Sequence, residues 1–253
     1  MNELAGKVAI VTGASTPRGI GNEIARRFAE AGASLFLVAE ATQEQLDSTA
    51  KACKALGAGR VEVALIDLGE PDGPERMVAQ AERALGRIDI LVNNAGIRSH
   101  VDFGEYTRDG FDRVVAVNLA APFFASQAVL PIMRRQGGGR IIHVASQLGH
   151  VAYSKRTLYG LTKAAVIHLT KSMAYELGRE NIIVNSISPG PIATGPTLAR
   201  SPEVTRKRVE QYVPAGRVGE PEEVADLAFF LASSAPGFLQ GQDIVIDGGY
   251  IIH

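Results

Sequence analysis

A serine, a tyrosine and a lysine are where this chain could do chemistry. In the stretch Ser146 to Lys163 (S-Q-L-G-H-V-A-Y-S-K-R-T-L-Y-G-L-T-K), Tyr159 and Lys163 are four apart. On a helix they therefore stand one above the other on a single face. A phenol and an ammonium on one face, with the Ser146 hydroxyl nearby, can polarise a carbonyl and deliver a proton to its oxygen. Lys163 would favour the phenolate electrostatically. A Tyr and a Lys also share a surface helix by chance, so the elements that position them must decide.

The run Leu158 to Leu177 has no Pro, and Leu161, Ala165, Leu169 and Met173 recur along one helical stripe. Before it, Arg140 to Ala145 (R-I-I-H-V-A) reads as a strand ending at Ser146. Strands and helices alternate along the whole chain. Val8 to Val11 is apolar throughout, as in a strand buried on both faces. It runs into T-G-A-S-T-P-R-G-I-G (Thr12 to Gly21) and a helix from about Ile20 to Ala31. Then come a strand at Ser34 to Ala39, a helix at Gln43 to Leu56, a strand at Arg60 to Ile66, a helix at Pro74 to Leu85 and a strand at Ile88 to Val92. A long helix from about Thr107 to Arg135 follows, with Pro122 and Pro131 as expected irregularities. The strand Ile182 to Ile187, a polar segment to about Glu220, the helix Pro221 to Leu231 and the strand Asp243 to Ile246 complete the pattern. Alternation without repeats or linkers predicts one α/β domain over residues 1–253, a Rossmann-type doubly wound parallel sheet of about seven strands with helices on both faces. Thr12, Ala39, Asp67, Asn93, Ser146 and Ser188 fall at the strand C-terminal edge, where such sheets bind ligands. A strand, glycine turn and helix at the N-terminus form a dinucleotide-binding context, because unpaired N–H groups and a partial positive charge await a pyrophosphate.

Composition narrows the function. Lys and Arg total 26 against 27 Asp and Glu in 253 residues, which gives no electrostatic case for nucleic acid or an anionic membrane. The single Cys53 excludes an intrachain disulfide and reads as a packed thiol. The histidines (100, 143, 150, 168, 253) lack metal-ligand spacing, so no metal is expected. No apolar run approaches 18 residues and the N-terminus lacks a signal-like stretch, so a cytoplasmic protein is the expectation.

Five separated motifs then fall in order: T-G-A-S…G-I-G (Thr12–Gly21), N-N-A-G (Asn93–Gly96), Asn118 in V-N-L, Ser146 thirteen residues before Y-x-x-x-K, and P-G-P-I-A-T (Pro189–Thr194). With the near-terminal D-G-G (Asp247–Gly249), this set resembles the short-chain dehydrogenase/reductase family over essentially the whole chain. The resemblance implies an NAD(P)-dependent oxidoreductase that moves hydride between a nicotinamide and a carbonyl or secondary alcohol. It implies that Tyr159 is the general acid or base, Ser146 holds the substrate oxygen, Lys163 binds the nicotinamide ribose and tunes Tyr159, and Asn118 anchors a proton-relaying water. For the cofactor it implies Gly13, Gly19 and Gly21 at the pyrophosphate with Ile20 beneath, and Asp67 and Leu68 beside the adenine. Asn94, Ala95 and Gly96 would lie along the adenosine ribose, and Ile192 and Thr194 at the carboxamide, with Pro189 and Gly190 also in contact. Thr12 is expected to bond the N-N-A-G turn rather than the ligand.

Two departures from the family pattern bear on the cofactor. Five residues separate Gly13 from Gly19 where three are usual, so Thr16-Pro17-Arg18 bulge and Arg18 becomes a possible phosphate partner. After the second strand stand Ala39 and Glu40, where NAD-specific members usually carry Asp first; Glu40 could still reach a free 2′-hydroxyl. NAD is the expected preference, with NADP the alternative. Gln147, His150, Tyr153 and a flap at about 191–220 are expected to line the pocket for a small carbonyl or alcohol substrate. The chain is similar to 3-oxoacyl-acyl-carrier-protein reductases and to sugar or polyol dehydrogenases. Basic carrier-docking positions of the former fall on Gly137 and Glu180, with Arg135 and Arg179 close by. A non-catalytic nucleotide-binding protein is the remote alternative. The resemblance also implies a homotetramer paired through the long helices and the C-terminal strand, and the apolar tail Tyr250-Ile251-Ile252 fits a covered surface.

Overall fold

The computed structural model describes residues 2–40, 42–195 and 202–252. Seven strands form one sheet in the order β3-β2-β1-β4-β5-β6-β7, every neighbouring pair parallel. They are β1 (Val8–Thr12), β2 (Ser34–Ala39), β3 (Val61–Leu65), β4 (Ile90–Asn93), β5 (Gly139–Val144), β6 (Ile182–Pro189) and β7 (Asp243–Ile246). The expected doubly wound α/β sheet is therefore the observed one. The order reverses beside β1, between β1 and β4, and that is where a crevice opens at the strand C-terminal ends.

Helices cover both faces because each central strand is apolar on both. On one face α1 (Ile20–Glu30), α2 (Gln43–Ala55) and α8 (Pro221–Ala232) bury Ile24, Phe28, Leu46, Val224 and Leu231 against the sheet. On the other face α3 (Gly73–Leu85), α5 (Ala121–Gln136) and α6 (Thr157–Leu177) bury Met77, Val129, Met133 and Leu177. Cys53 is fully buried among the first set, and burial pushes its thiol up to about 12, which leaves it protonated and unreactive. Local sequence sets the helix ends: Thr42 accepts the Gln45 N–H at 3.4 Å to cap α2, and a reciprocal Glu220/Glu223 capping box starts α8.

Three expectations need correction. The strand read as starting at Ile88 begins at Ile90, because the Asp89 carboxylate turns to the first N–H of β1 (Val8, 2.9 Å) and to Arg87 Nε (2.8 Å). The polar segment 191–220 contains a helix, α7 (Pro202–Tyr212); residues 196–201 of the expected flap lie outside the described residues. Its charged residues hide the element: Val209 reaches the interior, where it packs with Val213 and Tyr250. The apolar stripe read along α6 lies at the edge of its buried face: Ala165, Leu169 and Met173 are half-buried and Met173 packs on the core. Leu161 is 60% exposed, whereas the buried positions include Thr162, Lys163, Val166 and Thr170.

The long helix is continuous over 108–136 but changes pitch: α4 (Arg108–Val115) passes through a π-turn, Ala116–Ala120, into α5. By length and composition this run could cross a bilayer. Here α5 packs on α3, β4 and β5, with Phe123 and Phe124 left at the surface.

Candidate active site

β5 and α6 bring the serine, tyrosine and lysine to one cleft. Ser146 leaves the sheet in an extended conformation, and its Oγ accepts the Leu148 N–H at 3.2 Å across a single turn of 3-10 helix. That turn lies flush on α6 because Gly149 has no side chain; a Cβ there would come within 3.0 Å of the Ala164 nitrogen and 2.7 Å of Ile167 Cδ1. The Lys163 ammonium donates to the Val144 carbonyl at 2.7 Å and stands 5.7 Å from the Tyr159 ring centre. Burial lowers the pKa of Lys163; attraction to Tyr159 opposes that shift and the charge of Arg98 adds to it. Ser146, Tyr159 and Lys163 all line the same cavity, of about 670 Å³.

Asn118 sits behind that wall, in the π-turn. Its side chain accepts the Ile97 N–H at 2.8 Å, donates to the Ile97 carbonyl at 2.9 Å, and donates to Thr162 Oγ1 at 3.2 Å. One amide thus locks the segment after Gly96 to the catalytic helix. The changed pitch is the local irregularity that brings it there, and such π-turns are frequent at functional sites.

The other half of the cleft is the glycine turn. Thr12 Oγ1 accepts the N–H groups of Asn94 and Ala95, both at 2.9 Å, so it serves the N-N-A-G turn as expected. Gly21 has no alternative: a Cβ would meet Asn94 Nδ2 at 2.3 Å and the Gly13 carbonyl at 2.5 Å. No side chain caps the N-terminus of α1 at Gly19, so its N–H groups face the cleft. At the far side Thr194 Oγ1 and Gln147 Oε1 are buried with no hydrogen-bond partner among the described residues. An open helix N-terminus and the orphaned Thr194 hydroxyl in one trough fit a dinucleotide with a terminal amide.

Gly13, Gly19, Ile20, Gly21, Glu40, Asp67, Leu68, Asn94, Ala95, Gly96, Pro189, Gly190, Ile192 and Thr194 line this cavity, as do Gln147 and Tyr153. Two expected residues do not. Arg18, at φ 53°, pairs instead with Glu220 at 3.1 Å, because the two-residue bulge turns it toward the start of α8. His150 Nε2 meets Asp243 Oδ2 at 2.7 Å, drawn to a carboxylate that also accepts from Ser186 and Ser188.

Sequence reasoning missed Arg113. It donates to both oxygens of Asp67 (2.9 and 2.8 Å) and to Glu40 Oε2 (2.7 Å), joining the ends of β2 and β3. Burial would raise the Asp67 pKa, but the Arg113 bonds and charge and the Gly69 N–H outweigh it and hold the carboxyl below its usual range. Its position five residues before Asn118, on the same helix run, is the signal that could have found it. Arg98 and Arg156 were missed too, although both line the cleft.

Known proteins share this fold. A family model described as enoyl-(acyl carrier protein) reductase matches residues 13–251. A short-chain type dehydrogenase/reductase from Mycobacterium marinum superposes with a TM-score of 0.90 at 40% identity, over 99% of this chain and 97% of that one. The chain belongs to the short-chain dehydrogenase/reductase family. Within the family it is 38% identical over 249 residues to the 3-oxoacyl-[acyl-carrier-protein] reductase of Thermotoga maritima, covering 98% of this chain and 99% of the other. A 7α-hydroxysteroid dehydrogenase solved with NADH and a 7-oxo bile acid superposes with a TM-score of 0.92 at 35% identity, covering 100% and 97% of the two chains. Family membership makes this protein an NAD(P)-dependent oxidoreductase.

Proposed function

We propose that the protein interconverts a secondary alcohol and a ketone with Tyr159 as acid and base. The observation that carries this reading is the convergence of Ser146, Tyr159 and Lys163 on the cleft that the glycine turn also lines. A bound nicotinamide supplies or accepts the hydride at its ring carbon. Ser146 Oγ holds the substrate oxygen by hydrogen bonding, which fixes the reacting carbon. In reduction Tyr159 gives its phenolic proton to that oxygen as negative charge develops there, and in oxidation it takes the proton back. Lys163 favours the phenolate and binds the nicotinamide ribose; its bond to the Val144 carbonyl holds the ammonium in place. Asn118 anchors the proton relay behind Lys163, a role supported by its position between Ile97 and Thr162. Gln147 and Tyr153 contact the substrate, and the remaining cleft-lining residues hold the cofactor.

The preferred cofactor is NAD. Glu40 and Asp67 bring two carboxylates to the adenosine end, where they repel a 2′-phosphate and accept from a free 2′-hydroxyl. Arg18, the residue that could have welcomed the phosphate, is paired with Glu220. The long-helix faces, with Phe123, Phe124 and Leu161 exposed and Tyr175 93% exposed, support pairing of copies through α5 and α6 in a homotetramer. The tail contributes less than its sequence suggests, because Tyr250 packs on Tyr212 within the same chain at 5.7 Å. A carrier-protein substrate is the weaker reading: the carrier-docking positions are Gly137 and Glu180, and of the nearby Arg135 and Arg179 the first is paired with Glu82.

The test is a panel of secondary alcohols and ketones, followed by the absorbance of NADH and NADPH. Turnover of at least one member, faster with NAD(H), is expected. Cofactor binding with no turnover of any member would overturn the reading in favour of a non-catalytic nucleotide-binding protein.

A further inference from the structure

The walls of the cleft are charged unevenly. Among the described residues its only carboxylates are Glu40 and Asp67, both at the adenosine end and both held by Arg113. Around Ser146 and Tyr159 the charged side chains are Arg98, Arg156 and Lys163, all cations. The nearby Asp102 does not balance them, because its carboxylate is taken by Lys155 at 2.7 Å. Arg98 is exposed and makes no ion pair among the described residues. The backbone that leads into it is nonetheless held, since the preceding residue, Ile97, is bonded through both N–H and carbonyl to Asn118. Arg156 is steadied by a 2.8 Å bond from Nη1 to the Ser99 carbonyl at the start of α6. Gln147, 3% exposed, adds an amide oxygen with no partner to the same wall. A buried amide without a partner costs free energy, typically about 1–3 kcal/mol, so a wall that keeps one fits a polar occupant better than an apolar one.

We propose that the physiological substrate is a hydroxy acid or its oxo acid, whose carboxylate docks on Arg98, with Arg156 beside it, while its alcohol carbon lies between Ser146 and Tyr159. The inference rests on the proposed oxidoreductase reading and names the substrate class for that site. In the oxidative direction the alcohol gives its hydride to the bound oxidised nicotinamide and its hydroxyl proton to Tyr159, leaving an oxo acid. The carboxylate stays unchanged and serves as the handle. A guanidinium suits that task because its planar fork matches the two carboxylate oxygens. Arg98 also feels the catalytic group: its charge helps depress Lys163, so a docked carboxylate would relieve that effect and favour the charged ammonium.

Matched probes separate charge from shape: D-gluconate against D-gluconamide, and 3-hydroxybutyrate against 3-hydroxybutyramide. Two readouts are taken, kcat/KM with saturating NAD, and affinity for the enzyme–NADH complex from the change in cofactor fluorescence. In at least one pair the acid should be favoured over its amide by about tenfold or more, equal to roughly 1.4 kcal/mol. Arg98→Gln should collapse that preference toward one, and Arg98→Lys should restore part of it; Arg98 is exposed, so both variants should fold. Equal or better affinity for the amide in both pairs, or a preference unmoved in Arg98→Gln, would overturn the proposal. If nothing is turned over, the oxidoreductase reading fails by itself, and the affinity comparison still decides where a carboxylate binds.

Discussion

In the cleft Glu40 and Asp67 share a single guanidinium, whereas Arg98, Arg156 and Lys163 line it with no other carboxylate among the described residues. The adenosine end is an internally balanced lattice: Arg113 ties β2, β3 and α4 together, and the charge that remains is the excess of two carboxylates over one cation. Such an end selects by repulsion and by hydrogen-bond geometry, which suits a cofactor that differs from its rival by one phosphate. The substrate end keeps its positive field for the ligand. In the proposed function, the half whose carboxylates are held by Arg113 reads the cofactor, and the half that carries Arg98 reads the individual substrate.

Substitutions at the balanced end should move cofactor choice in opposite directions. Arg113→Met has the largest expected effect, because it leaves both carboxylates without their shared counter-charge. NADP should lose kcat/KM relative to NAD by more than about tenfold, since a unit charge near a protein surface interacts by several kcal/mol before salt screening. Glu40→Gln should act the other way, improving NADP relative to NAD by up to about tenfold, or roughly 1.4 kcal/mol of relieved repulsion. Both are read from initial rates with the two cofactors and one substrate. If wild type prefers NADP, or neither variant moves the ratio, the carboxylates are not the discriminator, and Arg18 would have to leave Glu220 to govern the choice.

The smallest effect concerns acid stability. Asp67 has a folded-state pKa below its ordinary value, so its contribution to stability is complete above about pH 3.9 and is lost as pH falls through the lower folded value. Thermal midpoints measured from about pH 5 downward should therefore fall faster for wild type than for Arg113→Met. The difference should stay within about 1 kcal/mol, because both side chains of the pair are partly exposed. Parallel curves would show that the Arg113–Asp67 pair contributes no stability.

The same contrast explains what the sequence makes legible. The alternation of strands and helices, the glycine turn, and the Ser146, Tyr159 and Lys163 constellation can be read because each depends on local spacing: fully apolar strands, glycines where no Cβ fits, and a four-residue step that stacks side chains on one helical face. Arg113 and Arg98 are not legible that way. Their meaning comes from partners 73 residues away in Glu40, or from a lack of partners, and neither leaves a pattern in the chain. Arg18 and His150 were misplaced for the same reason, since Glu220 and Asp243 claim them across 202 and 93 residues. The stripe of α6 shows a further limit. Apolar spacing finds a face that avoids water, but on this helix the inner face mixes Leu158, Val166, Ile167, Ala174 and Leu177 with Thr162, Lys163 and Thr170, which are held by hydrogen bonds, while Leu161 is left at the surface.

The most direct test of the whole account is the Tyr159→Phe protein, measured for cofactor affinity and for kcat with any substrate that the wild type turns over. The substitution removes one oxygen from a half-buried ring, so the variant should fold and bind the dinucleotide as wild type does. Its kcat should fall by about 10²-fold or more, the loss expected when a positioned acid–base group is removed. A kcat close to that of wild type, with cofactor binding intact, would contradict the assignment of Tyr159 as the proton-transfer group.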